Sequence, residues 1–248
     1  MAKKLKTGPK RFVRLLFLVL FIFIGIEAAK YYITLNAERT PVYDKKEVYL
    51  GTDFGFLDLR SDYDFNQNGT DDYTDFLNGA LEYAELNPKY ISKYYGGGYP
   101  PETEGVCTDL IWYALKEGGY LLKDLMAKDI RDTKKQDTYG IDIIDDNIDF
   151  RRVGNQETFL KRYAKSLTTD IYDIMEFHPG DIIVFNHGEH IAMVSNKRNN
   201  LGIVYLLQNR DETQEEKEED RLLTTDMKVT GHYRIELTDK LNDLIKSL

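Results

Sequence analysis

Three apolar runs in the last third of the chain constrain the fold more than any other feature. Residues 182–185 follow a Pro-Gly-Asp turn, residues 190–195 follow a short polar turn, and residues 203–209 follow an Asn-rich loop at 196–202. Short apolar runs bounded in this way are typical of buried strands, and the loop is typical of a hairpin. Residues 229–235 add a closing strand. Because patterns of helical period occupy the sequence before these strands, we predict an α+β fold.

Cys107 is the only cysteine of the 248-residue chain, and it lies where a Pro/Gly-rich loop gives way to a helical pattern. It begins an apolar stripe at helical spacing, formed by Cys107, Leu110, Ile111, Ala114 and Gly118. Unpaired N–H groups at a helix N-terminus favour the thiolate, which is the reactive form of a cysteine nucleophile. The alternative is a small apolar core residue without a chemical role.

The N-terminus combines a basic stretch with an apolar run at residues 15–26. This pattern predicts a membrane anchor or signal segment over residues 1–35. We therefore expect a single transmembrane helix with the C-terminal domain extracytoplasmic, or a secreted protein if the segment is cleaved. An unpaired thiol in an oxidising compartment usually has a chemical reason, which favours the nucleophile. The formal net charge of −9 disfavours nucleic acid as a partner.

The sequence after this segment divides into three parts. Residues 36–61 are interpreted as a linker, residues 62–88 as a single calcium loop with its exiting helix, and residues 89–240 as the main domain. An acidic run at residues 214–220 is interpreted as an exposed, solvated loop.

An Asp/Asn-rich stretch has the spacing of a calcium-binding loop. Its candidate ligands are Asp64, Asn66, Asn68, Thr70, Asp72 and Asp75. Oxygen side chains at alternate positions, with a glycine at the sixth, suit a hard cation that takes six or more oxygens. Asp75 replaces the usual bidentate Glu, and Asp71 replaces a usual hydrophobic residue, so the stretch resembles a solitary, dockerin-like loop. The prediction is a structural Ca²⁺, and the alternative is a solvated turn.

A cysteine nucleophile requires a base, and four histidines are available. His178 and His187 lie in turns and are expected to be solvated, whereas His232 is expected to be a packed core residue. His190 begins a strand on the face shared with the small residue Ala192, where we expect room for a helix end to approach. It is therefore the predicted base.

The hairpin predicts which residue orients that base. If the loop is centred on Asn199, His190 faces Gln208, and if it is centred half a residue later, His190 faces Asn209. Either amide oxygen can accept from the ring N–H and fix its tautomer.

These residues occur in an order that resembles a known superfamily. The motifs are Gly105-Val106-Cys107-Thr108-Asp109, Asn147-Ile148-Asp149-Phe150-Arg151-Arg152-Val153, Pro179-Gly180-Asp181, His190 and Gly231-His232-Tyr233-Arg234. They resemble the papain-like NlpC-type cell-wall cysteine peptidases and, more closely, the YijF-like domains of unknown function in that superfamily. The resemblance covers roughly residues 70–236.

The resemblance implies a circularly permuted papain-like core with Cys107 as nucleophile and His190 as base. It implies a cysteine peptidase or amidase that hydrolyses amide bonds in peptidoglycan stem peptides, without a catalytic cofactor. Gln208 occupies the third position, where related sites often have His. A neutral amide can orient the base but cannot share its charge.

Four residues near the motifs are candidates for substrate binding: Tyr99, Asp109, Arg151 and Arg152. Arginines can pair with stem-peptide carboxylates, but internal salt bridges to Asp109 or Asp149 are an equal alternative. Tyrosine can line a sugar- or peptide-binding cleft, or can pack on its own loop.

Two other functional classes remain open. A catalytically weak or inactive wall-binding module can share this fold, which the neutral Gln208 allows. A thiol redox protein is a weaker alternative, because Cys107 has no C-x-x-C partner.

Overall fold

The computed structural model describes residue 19 and residues 22–28, 47–133 and 135–248. The chain separates into two compact units, Met1–Tyr43 and Asp44–Leu248. In the first unit, residues 22–28 are helical and exposed, and the rest of the predicted segment at residues 1–35 lies outside the described residues, apart from residue 19.

The described residues correct the membrane prediction. None of the helices in this part of the chain is both long enough and apolar enough to cross a bilayer. The predicted transmembrane helix, and the single-pass location inferred from it, are therefore wrong for the chain as described.

The second unit contains six α-helices among its described residues. These are α1 (Asp72–Leu86), α2 (Cys107–Glu117), α3 (Leu122–Asp132), α4 (Lys135–Tyr139), α5 (Val153–Tyr163) and α6 (Asp239–Lys246). Two short 3₁₀ turns occur at Gly51–Phe54 and Asp149–Arg151. The 3₁₀ turn at Gly51–Phe54 falls in the stretch interpreted as a linker, and this stretch contacts the sheet through a bridge between Tyr49 and Arg198.

Eight strands complete the unit. They are β1 (Lys89–Tyr90), β2 (Glu104–Gly105), β3 (Lys165–Ser166), β4 (Ile182–Phe185), β5 (His190–Arg198), β6 (Val204–Leu207), β7 (Glu218–Glu219) and β8 (Val229–Arg234). The first two form a small parallel pair, and the other six form an antiparallel sheet in the order β3-β8-β4-β5-β6-β7. The α+β class is confirmed, while the papain-like assignment stays a prediction.

The sheet separates two hydrophobic clusters. The helices pack on the face that carries Ile191, Met193 and Leu207. The opposite face carries Ala192 and Val194, which pack into a smaller cluster. Side chains alternate between the faces of a strand, so alternate residues of β5 pack into different hydrophobic clusters.

Helices α1 and α2 pack closely at a glycine. A Cβ on Gly79 would lie 2.9 Å from the Ala114 Cα, so only glycine permits this approach without a shift. Asp71 caps α1, because its carboxylate accepts from the Thr74 N–H and hydroxyl. Asn87 ends α1 in the left-handed conformation, directly before Pro88. This helix pair presents the N-terminus of α2 to β5.

Candidate active site

Cys107 is the first residue of α2, as the sequence predicted. The helix starts there because Val106 is extended and the carboxylate of Asp109 turns back to accept the Val106 N–H at 2.8 Å. The backbone N–H groups of Ile191 and Thr108 lie close enough to the thiol to lower its pKa. The thiol therefore faces the interior and points at β5.

The electrostatics of Cys107 favour the neutral thiol. Its side chain is buried, and this burial raises the pKa of Cys107 from 9.0 to about 11. The negative charge of Asp109 acts in the same direction, whereas the nearby backbone N–H groups oppose it. The helix N-terminus alone would have lowered this pKa, and burial outweighs it.

His190 lies one residue from the amide that contacts the thiol. The sequence placed the approaching helix on the face of Ala192, but α2 packs on the opposite face with Ile191. The His190 ring packs beside Phe185 at 5.7 Å, on the Ala192 side. Among the described residues, no direct hydrogen bond joins the Cys107 thiol to the His190 ring. The thiol instead lies near the backbone N–H of Ile191, the residue after His190.

Gln208 makes the contact with His190 that the sequence predicted. The His190 Nε2 and the Gln208 Oε1 are 2.8 Å apart, and both residues are buried. Burial lowers the pKa of His190 below 6.5, and the hydrogen bond to Gln208 opposes this effect. Near neutral pH the imidazole is therefore uncharged and can act as a base.

Asn209, the other candidate, does not contact His190. Its side chain faces the helices, where Nδ2 donates to the Tyr83 hydroxyl at 3.1 Å and to the Pro88 carbonyl at 3.5 Å. Its Oδ1 is buried without a hydrogen-bond partner among the described residues. Of the two amides, Gln208 alone is placed to orient His190.

Asp109 and Arg151 pair with each other inside the domain. Arg151 Nε and Nη2 donate to the two Asp109 oxygens at 2.7 and 2.8 Å, and Nη1 donates to the Lys93 carbonyl. Asp109 also accepts from the Trp112 indole. Both charged groups are buried, and the structure contains the internal salt bridge that the sequence offered as the alternative. A substrate-binding role for these two residues stays a prediction.

Arg152 and Tyr99 lie at the surface. Arg152 is exposed at the start of α5. Tyr99 is partly exposed and packs against Trp112, with ring centroids 4.7 Å apart, and against Phe150 at 5.4 Å. A substrate contact at these two residues stays a prediction.

The predicted calcium ligands form an internally hydrogen-bonded loop. Asp64 accepts the N–H groups of Asn68 and Gly69, and the Asn68 amide donates to Asp75 at 3.2 Å. Asn66 also donates to Asp75. These contacts occupy side chains that a cation would need.

Asp72, another predicted ligand, is hydrogen-bonded within the protein. Its carboxylate accepts from the Tyr120 hydroxyl at 2.6 Å and from the Phe65 N–H at 2.8 Å. Thr70 was predicted to contribute its backbone carbonyl, and its N–H donates to the Asn68 Oδ1. Within the part of the chain that the structure describes, no group of three or more His, Cys, Asp or Glu side chains is arranged to hold a metal. Calcium binding stays a prediction that this geometry does not support.

The other histidines have separate environments. His232 is buried and stacks on Phe177, and its Nε2 lies 3.0 Å from Asp181, which Arg234 also contacts. It is a core group, as expected. His187 is exposed. His178 is half-buried and its Nδ1 accepts from the Leu59 N–H, so the expectation of full solvation is wrong for it.

Sequence reasoning missed Glu219 and Gln214. The Glu219 carboxylate accepts from the Gln208 Nε2 at 3.0 Å and from the Gln214 Nε2 at 2.8 Å. Both lie in the acidic run at residues 214–220, which is only partly exposed because β7 adds to the edge of the sheet. The interpretation of this run as a solvated loop was wrong. A glutamine within a run of charges was the one hint in the sequence.

The site thus defines a class: an α+β domain in which a helix-terminal cysteine meets the strand that begins with an amide-held histidine. The chain belongs to the family described as "Domain of unknown function (DUF1287)", which matches residues 77–235 and therefore includes every residue of this site. It is similar to the "Uncharacterized protein YijF" of Escherichia coli (strain K12), with 30% identity over 153 residues, or 60% of this chain and 72% of that protein.

Proposed function

We propose that this chain is a cysteine hydrolase that cleaves amide bonds, with peptidoglycan stem peptides as the substrate class. One observation supports it most: the Cys107 thiol lies near the Ile191 N–H, directly beside His190, whose Nε2 is held by Gln208. A nucleophile, a base and an orienting group therefore lie near the start of β5, with the imidazole on the opposite face of the sheet from α2 in the resting protein. The substrate class follows from the resemblance of the motifs to cell-wall cysteine peptidases.

The first step is acylation. His190 Nδ1 accepts the proton of the Cys107 thiol, and the sulfur attacks the amide carbonyl carbon. The thiol must exchange its contact with the Ile191 N–H for one with the imidazole, which packs on the Ala192 side of the sheet in the resting protein and must turn toward α2. The imidazolium then gives its proton to the leaving amine as the C–N bond breaks, which leaves a thioester on Cys107.

Water completes the reaction. His190 accepts a proton from water, the hydroxyl oxygen attacks the thioester carbon, and the C–S bond breaks to give a carboxylic acid and the free thiol. We assign the oxyanion of both steps to the Cys107 N–H, because Cys107 begins α2 and the first N–H groups of a helix have no intrahelical acceptor.

The substrate approach is assigned to a cavity of about 710 Å³ between residues 87–91 and 211–217. Tyr90 lines this cavity and pairs in β1 with Gly105, two residues before Cys107. This strand pair places the cavity wall near the start of α2. The cavity wall includes Lys89 and Lys217 beside Asp211 and Glu212, which suits a substrate with both amino and carboxylate groups.

A binding module without catalysis is the second candidate, and the burial of the pair favours it. Cys107 is 7% exposed and His190 is 5% exposed. With the pKa of Cys107 raised and that of His190 lowered, the resting pair is neutral rather than an ion pair. Such a site reacts slowly unless the substrate brings the thiol and imidazole together.

Digestion of purified sacculi and soluble muropeptides separates these candidates. The wild-type chain and Cys107→Ala are incubated with each substrate, products are identified by mass spectrometry, and sacculus binding is measured by co-sedimentation. Cys107→Ala is a small change at an apolar site, and its fold is checked by circular dichroism.

The enzyme proposal predicts new amine and carboxyl ends with wild type, none with Cys107→Ala, and an acyl adduct on Cys107 in rapidly quenched samples. Equal binding by both proteins, without product or adduct from either, would instead establish the binding module.

A further inference from the structure

A hydrogen-bonded relay extends from the candidate base to the edge of the sheet. The His190 Nε2 lies 2.8 Å from the Gln208 Oε1, and the Gln208 Nε2 lies 3.0 Å from the Glu219 Oε2. Gln208 is 1% exposed, so protein groups rather than solvent satisfy its amide. The site thus includes the Glu219 carboxylate, which is hydrogen-bonded to the neutral amide of Gln208 on the side away from His190.

The chemistry of the three groups fixes the direction of every hydrogen bond. An ionised carboxylate only accepts, so the amide nitrogen of Gln208 must face Glu219. The amide oxygen then faces His190, and Nε2 of the ring must donate to it. The neutral imidazole is therefore protonated at Nε2, and its lone pair lies on Nδ1, the atom required to accept a thiol proton.

The surroundings hold Gln208 and Glu219 in this arrangement. The Gln208 N–H donates to the Lys217 carbonyl at 2.8 Å, and Gln214 Nε2 donates to the Gln208 carbonyl at 3.1 Å and to Glu219. In the β6–β7 ladder, Glu219 faces Leu206, so Gln208 is its diagonal neighbour on the same face. Strand β7 therefore supplies the carboxylate by register.

We propose that Glu219 is a positioning residue of this site, which fixes the polarity of the Gln208 amide and thereby the Nε2–H tautomer of His190. The effect of Glu219 on hydrolysis rests on the proposed function, but the His190 tautomer is a property of the resting protein. The negative charge of Glu219 favours the imidazolium that forms during acylation, while the positive charge of Arg210, whose Nη2 lies 3.7 Å from Glu219 Oε1, opposes it.

The test is the ring tautomer of His190, measured by ¹⁵N NMR of the full chain labelled at histidine. We expect wild type to show the Nε2–H form. In Glu219→Ala the Gln208 nitrogen loses its acceptor, and the ratio of Nε2–H to Nδ1–H should fall about tenfold, the effect of one lost hydrogen bond. Glu219→Gln keeps an acceptor oxygen and should keep the tautomer.

A matched control is Glu218→Gln. Its carboxylate contacts Ser195 and Lys197 rather than the relay, so the His190 tautomer should not change. An unchanged Nε2–H tautomer in Glu219→Ala would overturn the proposal. If Glu219→Ala does not fold, Glu219→Asp withdraws the carboxylate while keeping its charge, and an unchanged tautomer there has the same meaning.

The NMR result is independent of hydrolysis, so failure of the proposed function would not affect it. Where wild type does hydrolyse muropeptides, we expect Glu219→Gln to lower kcat with little change in KM, because charge is lost while orientation is retained.

Discussion

Arg151 and Asp109 form a two-point ion pair in which the side chains are 2% and 0% exposed. The pair joins the 3₁₀ turn at Asp149–Arg151 to the first turn of α2. Thr108 adds to this junction, because its hydroxyl donates to the Arg151 carbonyl at 3.0 Å. The position of the cysteine thus depends on a buried electrostatic contact.

Arg151→Met should destabilise the domain by about 3–5 kcal/mol, because it leaves the Asp109 charge buried without its partner. Urea denaturation measures the change. Arg152→Met is the control: its side chain is exposed, and we expect a change within about 0.5 kcal/mol. Equal denaturation midpoints for the two variants would contradict this role of Arg151.

Gln208→Ala and Asn209→Ala should have different effects on activity. The first removes the acceptor of His190 and should reduce kcat at least tenfold if the chain is a hydrolase, because the tautomer is no longer fixed. The second removes a contact to Tyr83 on the helix side and should act on stability. Muropeptide release and urea denaturation are measured for both. A greater loss of kcat in Asn209→Ala would show that Asn209, rather than Gln208, orients His190.

The contact between His190 and Gln208 could be predicted from the sequence although the register could not. The ladder pairs Met193 with Leu207, whereas a loop centred on Asn199 pairs Met193 with Tyr205. At Met193 the predicted register was wrong by two residues, because the turn is centred two residues later than Asn199, where Arg198 pairs with Val204, and an irregularity between Val194 and Arg198 removes only half of the resulting shift. A shift of two residues keeps every side chain on its face, so Gln208 still reaches His190 diagonally.

Burial could not be predicted in the same way. The start of α2 and the α+β order follow from local patterns, but the pKa of Cys107 depends on the sheet that covers the thiol. The relay to Glu219 depends on how β7 joins the edge of the sheet, a tertiary contact that a run of acidic residues does not indicate.

The folding stability should fall in acid partly because of His190. Burial lowers the pKa of His190 in the folded state below 6.5, so below pH 6.5 the unfolded state binds the proton first and stability is lost. The unfolding free energy of wild type, relative to His190→Gln, should therefore decrease as pH falls from about 7 to 5.

Chemical denaturation across this pH range measures the difference. His187→Gln serves as the control for loss of a surface imidazole, because His187 is exposed. A wild-type advantage over His190→Gln that grows in acid would have the wrong sign and contradict the burial argument.

Calcium provides a direct test of the Asp64 loop. If the loop binds calcium, the unfolding free energy should rise by about 2.7 kcal/mol at a free concentration one hundred times Kd. Asp64→Asn should reduce this rise, whereas Asp62→Asn, outside the loop, should not. Thermal unfolding in the presence of calcium or of a chelator measures this rise in stability. The same Tm under both conditions would mean that hydrogen bonds, such as those from Asn68 to Asp75, hold the loop without a metal.

Gly105 is required by the position of the Tyr83 hydroxyl. A Cβ at Gly105 would lie 2.3 Å from the Tyr83 Oη, far inside contact distance. We expect Gly105→Ala to destabilise the domain by about 1–3 kcal/mol through this overlap. Gly96→Ala is the control, because a Cβ there meets no atom within 4 Å.

Because the obstructing atom is one oxygen, its removal should relieve the clash. Gly105→Ala should cost less in a Tyr83→Phe background than in wild type, although Tyr83→Phe itself leaves the Asn209 Nδ2 without its closest acceptor. A double-mutant cycle from urea denaturation measures the coupling between the two positions. Additivity within about 0.5 kcal/mol would show that the overlap is relieved by movement of the loop before Cys107, and that Tyr83 does not fix the approach of this loop to α1.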